Sequence, residues 1–360
     1  MPDPSSPSSA VGVGDPQPDG FGDPQPDGFG DPQPDGFGDP QRDVFGDPYE
    51  SLVRRLPDDR EGPVVSTLVR RRAEPGRTSS ARTAVLYIHG FSDYFHQKEL
   101  ADFHVDRGDD FYAIDLRKNG RSLLPHQTPA DMADVSDYYA ELDAALATIL
   151  EDGHDRVVLN AHSTGGLIGV LWLHDAPKRG ADLTAIGAVV LNSPFLDVPA
   201  NWALRALAPR PFAVLARNRP QLVLQTPTRS QYQISIHATE RGEWEFNPAW
   251  KPVTGGVVRA QWLSAAQRAI ARAHAGLDLP MPVLVMCSSR SVRAKQWSDD
   301  LLRGDAVLNA DAIARWSTVL GRHVTCVRIA DGMHDLLLST PPVRATVYDE
   351  MTRWLDAYGR

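Results

Sequence analysis

The segment Val157-Val158-Leu159-Asn160-Ala161-His162-Ser163-Thr164-Gly165-Gly166 constrains this chain more than any other. A short apolar run passes directly into small-x-Ser-x-Gly and then into the helical run L-I-G-V-L-W-L. A strand that turns into a helix so abruptly needs small residues two places before and two places after the apex. Ala161 and Gly165 meet that need, with Ala where glycine is usual. The turn would leave Ser163 exposed above a sheet, at a helix N-terminus that favours developing negative charge.

Around this turn, short apolar runs alternate with longer helical patterns. Residues 64–71 read as an early, partly exposed strand, and 84–88, 111–114, 157–161, 188–191, 283–287 and 324–329 as further strands. Helical spacing predicts helices over 131–152, from the Ser163 turn through Leu173, over 310–320 and over 342–358. Continuous apolar strands alternating with helices predict a mainly parallel, doubly wound sheet covered on both faces. Residues 198–276 break the alternation. They hold Trp202, Phe212, Trp244, Phe246, Trp250 and Trp262 without a clean buried strand, and read as an inserted lid or cap.

Two further motifs belong at the same sheet edge. His89-Gly90-Phe91-Ser92-Asp93-Tyr94 follows a buried strand. In acyl transfer a tetrahedral oxyanion needs two preorganised N–H donors. The expected pair is Thr164, the residue after Ser163, and Phe91, where Gly90 lets the backbone approach. Gly332-Met333-His334-Asp335 follows the last strand, and His334 alone of the eleven histidines stands there, after Ser163 in chain order. A general base for a serine must arrive on such a loop, at the carboxyl ends of the strands. His162 and His89 flank the other two motifs and are expected to be positional.

With these motifs in this order the chain resembles the α/β-hydrolases, in particular the monoacylglycerol lipase/lysophospholipase-like branch grouped with serine aminopeptidase-type hydrolases. The resemblance rests on H-G-F-S-D-Y at 89–94, D-L-R-K-N-G-R-S at 115–122, A-H-S-T-G-G at 161–166, N-S-P-F-L-D at 192–197 and G-M-H-D at 332–335. It covers roughly 64–358, and 198–276 match the family's cap. It implies a serine hydrolase acting on carboxylic esters, with Ser163 as nucleophile, His334 as base and no metal or organic cofactor. The expected substrate is a small ester with an apolar acyl part. A peptidase or amidase, with Glu240, Glu243 or Glu245 holding an amine, and a non-catalytic binding protein are the alternatives.

The acid is where the chain departs from the family. After V-L-V-M-C the family places Asp in G-x-x-D, but here Ser288-Ser289-Arg290-Ser291-Val292 follow. Asp305, in G-D-A-V-L, resembles the family's D-x-V-V segment displaced by an insertion and is the expected third member. Asp299, Asp300 and Asp197 compete with it, while Asp331 and Asp335 lie too close to His334 along the chain.

The N-terminal region repeats an octapeptide. G-D-P-Q-P-D-G-F begins at Gly14, Gly22 and Gly30, a degenerate G-D-P-Q-R-D-V-F at Gly38, and a fifth copy starts at Gly46. Pro and Gly at this density predict a disordered tail over 1–48, ahead of one hydrolase domain over 49–360. A linear interaction motif anchored by Phe21, Phe29, Phe37 and Phe45 is the alternative reading. The net charge of −9 is explained by this tail, where ten Asp face one Arg. The remainder is balanced, so no basic face for nucleic acid is expected. Cys287 and Cys326 are the only cysteines, both on predicted strands, and are expected to be buried, inert thiols. No apolar run approaches the length of a membrane span, and the N-terminus lacks the basic start and apolar stretch of a secretory signal. A cytoplasmic location is expected; the oligomeric state stays open.

Overall fold

Residues 36–73, 83–198, 209–225 and 230–359, which the computed structural model describes, build one nine-stranded sheet and the helices around it. In chain order its strands are β1 (Gln41–Arg42), β2 (Tyr49–Asp59), β3 (Gly62–Arg71), β4 (Thr83–Ile88), β5 (Asp110–Asp115), β6 (Arg156–His162) and β7 (Ile186–Asn192). After β8 (Val223–Gln225) and β9 (Val258–Arg259), which form a separate two-stranded ribbon, come β10 (Val283–Ser288) and β11 (Val324–Ile329). The order across the sheet is β1-β2-β3-β5-β4-β6-β7-β10-β11. The pairs from β5 to β11 are parallel, and the three pairs from β1 to β5 are antiparallel.

The apolar runs are strands because both of their faces are covered. In β4, Leu86 and Ile88 join one core with α2 (Tyr139–Glu151), α3 (Thr164–Arg179) and α6 (Ala260–His274). Val85 and Tyr87 point the other way, to a second core with α1 (Lys98–Asp106) and α7 (Pro341–Tyr358). This period-2 division leaves no solvated face, so polar residues drop out of the strands. Each fully buried Leu, Ile or Val contributes about 1.5–3 kcal/mol.

The mainly parallel sheet matches expectation, with differences at its margins. The strand β2 was not foreseen: its sequence YESLVRRLPDD is mostly polar, and only Tyr49, Leu52 and Leu56 are buried. The helix expected over 131–152 starts later. Asp134 caps a 3-10 turn over Val135–Tyr138, and α2 follows from Tyr139. Cys287 is buried, but Cys326 is exposed because β11 is the edge strand.

Between β7 and β10 lies the inserted region, with α4 (Pro209–Asn218), the β8–β9 ribbon, α5 (Gln231–Ile236) and α6. Phe212, Phe246, Trp250 and Trp262 are buried and Trp244 is half-buried. Trp202 lies outside the described residues.

The expected tail over 1–48 needs correction at its C-terminal part. Gly36 to Pro48 belong to the described structure, and β1 pairs with β2. Asp43 is buried and pairs with Arg121 Nε at 2.8 Å, while Phe45 and Phe37 pack against the cores. The composition argument failed here because one carboxylate and two rings need no core of their own; they complete that of the domain. The copies beginning at Gly14 and Gly22 lie outside the described residues.

Candidate active site

Ser163 stands where β6 ends and α3 begins, with φ 51° and ψ −117°. A non-glycine residue at positive φ is strained and persists only where its surroundings enforce it. Here Ser163 N donates to Asn192 O at 3.0 Å, and its own carbonyl accepts from Phe195 N at 2.9 Å. A side chain on Gly165 would collide with His89 O and Ile88 O, so that position admits nothing larger than hydrogen. Gly90 approaches almost as closely: a Cβ there would lie 3.2 Å from Ser163 Cβ.

The structure brings Ser163, His334 and Asp305 into one hydrogen-bonded line. His334 Nε2 lies 3.0 Å from Ser163 Oγ, and His334 Nδ1 lies 3.0 Å from Asp305 Oδ2. All three are buried. Asp305 keeps only Oδ2 for the imidazole, because Oδ1 accepts from Val307 N at 2.8 Å and Leu308 N at 2.7 Å. Backbone pairing brings Asp305 to this position. Val292 N donates to Asp305 O and Asp305 N to Arg290 O, so residues 293–304 leave the β10 edge and come back to it.

The competing carboxylates are engaged elsewhere. Asp300 is exposed and pairs with Arg290 at 2.7 Å, Asp299 is exposed in the neighbouring 3-10 turn, and Asp197 accepts from Val198 N. Asp331 is exposed. Asp335 is buried but faces away from the imidazole, accepting from Asn192 Nδ2 at 2.7 Å and Gln97 Nε2 at 2.9 Å.

Thr164 follows Ser163 and Phe91 follows Gly90, and among the described residues neither N–H donates to a protein acceptor. His89 and His162 hold the loops. Leu116 N donates to His89 Nε2 at 3.0 Å, which leaves Nδ1–H to donate to Gly90 O at 2.7 Å. His162 Nδ1 meets Asn192 O at 3.1 Å, and burial pushes its pKa down.

Sequence reasoning missed a buried polar group beneath the Phe91 loop. Lys251, from the inserted region, places Nζ 2.8 Å from Asp93 Oδ1 and 3.0 Å from His96 Nε2. Burial alone would raise the Asp93 carboxyl, but the Lys251 ammonium holds it below the usual range. His96 is pushed down to about 3, first by burial and then by Lys251. The signal was weak: a lysine within W-K-P reads as a solvated residue unless its partner is known. The same region touches the site at Tyr232, whose hydroxyl accepts from Asp335 N at 3.2 Å, and at Trp262, whose ring centroid lies 4.3 Å from that of Phe91.

The serine aminopeptidase S33 family model matches residues 79–295, more than half of the chain. This chain belongs to that family of hydrolases. Among solved structures it is similar to a soluble variant of the monoglyceride lipase of Saccharomyces cerevisiae in complex with a substrate analogue. That likeness has TM-score 0.60 and 15% identity, covering 85% of this chain and 94% of that one. The monoacylglycerol lipase of Paleococcus ferrophilus gives TM-score 0.54 and 18% identity over 80% of this chain and 98% of its own. A putative hydrolase from Agrobacterium vitis gives TM-score 0.53 and 17% identity over 85% and 98%. At such identities the likeness establishes the α/β-hydrolase fold. No curated protein sequence matches the chain. Among the described residues, no helix is long and apolar enough to cross a membrane.

Proposed function

We propose that this member of the family is a serine hydrolase that cleaves carboxylic esters through an acyl-enzyme. Ser163 Oγ attacks the ester carbonyl carbon while His334 Nε2 takes the hydroxyl proton. The carbonyl oxygen gains the charge and is held by the Phe91 and Thr164 N–H groups. Collapse expels the alcohol, which leaves with the proton from His334. Water then attacks the acyl-enzyme with His334 as base, releasing the acid and restoring Ser163. Asp305 holds Nδ1–H and stabilises the imidazolium. The single observation that supports this most is the contact of His334 with both Ser163 and Asp305 at 3.0 Å.

We read the substrate class from the aromatic wall of Phe91, Phe195 and Trp262 beside the serine. An apolar acyl chain fits that wall, and an acylglycerol or lysophospholipid is our choice; two of the similar structures are lipases of monoacylglycerols. The reading includes no metal or organic cofactor, the inserted region as a cap, and a cytoplasmic setting. The peptidase alternative would draw on Glu240 or Glu245, since Glu243 pairs with Arg344.

Turnover of p-nitrophenyl esters of increasing chain length, set beside aminoacyl p-nitroanilides, tests the reading. We expect ester hydrolysis that improves with acyl length. Faster anilide turnover would favour the peptidase, and no turnover on either would favour a binding protein.

A further inference from the structure

The fourth octapeptide copy, Gly38 to Phe45, is bound by the domain as a ligand would be. Asp43 offers both carboxylate oxygens to Arg121, Oδ2 to Nε at 2.8 Å and Oδ1 to Nη2 at 3.0 Å. Phe45 lies beneath two cations, with Arg121 Cζ 4.6 Å and Lys98 Nζ 4.5 Å from its ring centre. Tyr49 and Phe95 meet it edge-on at 5.5 Å and 5.9 Å. Asp43 also shapes the copy itself, since Phe45 N donates to its Oδ1 at 3.0 Å and Gly46 N to its carbonyl at 2.9 Å. Gly46 closes this turn at φ 71°, a value that favours glycine.

Every residue used in these contacts recurs in the upstream copies. Asp43 corresponds to Asp19, Asp27 and Asp35, Phe45 to Phe21, Phe29 and Phe37, and Gly46 to Gly22, Gly30 and Gly38. The fourth copy differs only at Arg42, where the others have Pro, and at Val44, where they have Gly. Neither side chain touches the seat: Val44 is exposed, and among the described residues Arg42 pairs with exposed Asp47. Pro also fits the backbone at position 42. Asp43 N donates to Tyr49 O, so in the antiparallel ladder the Arg42–Glu50 pair is the one without hydrogen bonds. The preceding ring, Phe37, is docked as well, against the core on the α3 side of the sheet. Two consecutive copies are therefore read at a spacing of one repeat.

We propose that the site formed by Arg121, Lys98, Tyr49 and Phe95 recognises the octapeptide as such, and that the upstream copies are interchangeable in-chain ligands for it. Sliding the array by one repeat would put Asp35 on Arg121, Phe37 under Lys98 and Phe29 where Phe37 now packs. Duplication of the octapeptide then preserves the anchor of the N-terminal strand when one copy is lost.

Deleting residues 38–45 from the full chain tests this directly, because it joins Phe37 to Gly46 in register. We expect the melting temperature of the deleted chain to stay within about a degree of the intact one. Adding Asp35→Ala and Phe37→Ala to that deletion should lower it by several degrees, as Asp43→Ala with Phe45→Ala should do once Asp19, Asp27 and Asp35 are also Ala. A photo-crosslinker at position 37 of the deleted chain should attach to Tyr49 or within residues 94–121 of the same molecule. The proposal is overturned if the deletion alone costs those several degrees, or if position 37 crosslinks only to a second molecule or elsewhere in its own. The readouts are stability and proximity, so they stand apart from any result on hydrolysis.

Discussion

Asp305 reaches His334 Nδ1 at 3.0 Å although the strand it serves, β10, ends at Ser288. The excursion over 293–304 is closed at its base by the Val292–Asp305 and Asp305–Arg290 backbone bonds, which return the carboxylate to the edge of the sheet. A buried carboxylate with one oxygen fully occupied by Val307 and Leu308 N–H groups has a fixed direction, and that direction selects the Nδ1–H tautomer.

Asp305→Asn should therefore keep the fold and lower kcat by roughly 10⁴-fold, because an amide can present N–H to Nδ1 and favour the wrong tautomer. Asp299→Asn, Asp300→Asn and Asp197→Asn should leave turnover within a few-fold of wild type. Parallel kinetics on one p-nitrophenyl ester would decide; collapse in any of the last three with normal turnover in Asp305→Asn would move the acid.

Lys251 and Asp93 make a second prediction, on stability. Both are buried, so Lys251→Met strands a carboxylate and should cost about 3–5 kcal/mol, whereas Lys251→Met with Asp93→Asn should recover much of it. Chemical denaturation of the wild type, Lys251→Met, Asp93→Asn and the double variant measures the coupling. Simple additivity of the two changes would contradict the pairing.

Glycine at 256 carries a third prediction. An added Cβ would sit 2.5 Å from Phe91 Cε1 and 2.7 Å from Ser92 Cβ, forcing the loop whose Phe91 N–H is the proposed oxyanion donor. Gly256→Ala should lower kcat about tenfold or more with a smaller effect on KM, since an oxyanion donor acts on the transition state. A rise in KM alone would assign Gly256 to substrate binding instead.

The pH dependence of stability follows from His96, His104 and His162, whose folded pKa values lie below the ordinary value near 6.5, chiefly because burial disfavours the charged ring. As pH falls below about 6.5, the unfolded chain takes up protons that the folded chain refuses, and stability declines. For His96 the decline continues to about 3. Their contribution is complete above about 6.5 and lost below it. Urea unfolding from about pH 8 to about pH 5 should show this fall, and a flat profile would contradict the buried neutral state of these rings.

Much of the site was legible because its parts follow apolar strands in chain order. The Ser163 turn, the Phe91 loop and the His334 loop each announce themselves by a buried run ending in small or polar residues. Asp305 was legible only as one choice among four, since nothing in a linear sequence shows that Val292 and Asp305 pair. The polar strand β2 was missed because Tyr49 is buried on one face and Leu52 on the other, so its few apolar residues form no period-2 stripe. Lys251 and Asp43 were missed for a common reason. A charged residue reads as solvated until the opposite charge that accompanies it into the interior, Asp93 or Arg121, is placed beside it.

Labelling with a fluorophosphonate, followed by intact mass and peptide mapping, tests the central claim most directly. The wild-type chain should take up one equivalent, carried by Ser163, and lose ester turnover in proportion. Ser163→Ala should remain folded, take up none, and lose turnover by roughly 10⁴-fold or more. Labelling of another serine, or turnover by Ser163→Ala within about tenfold of wild type, would contradict the account.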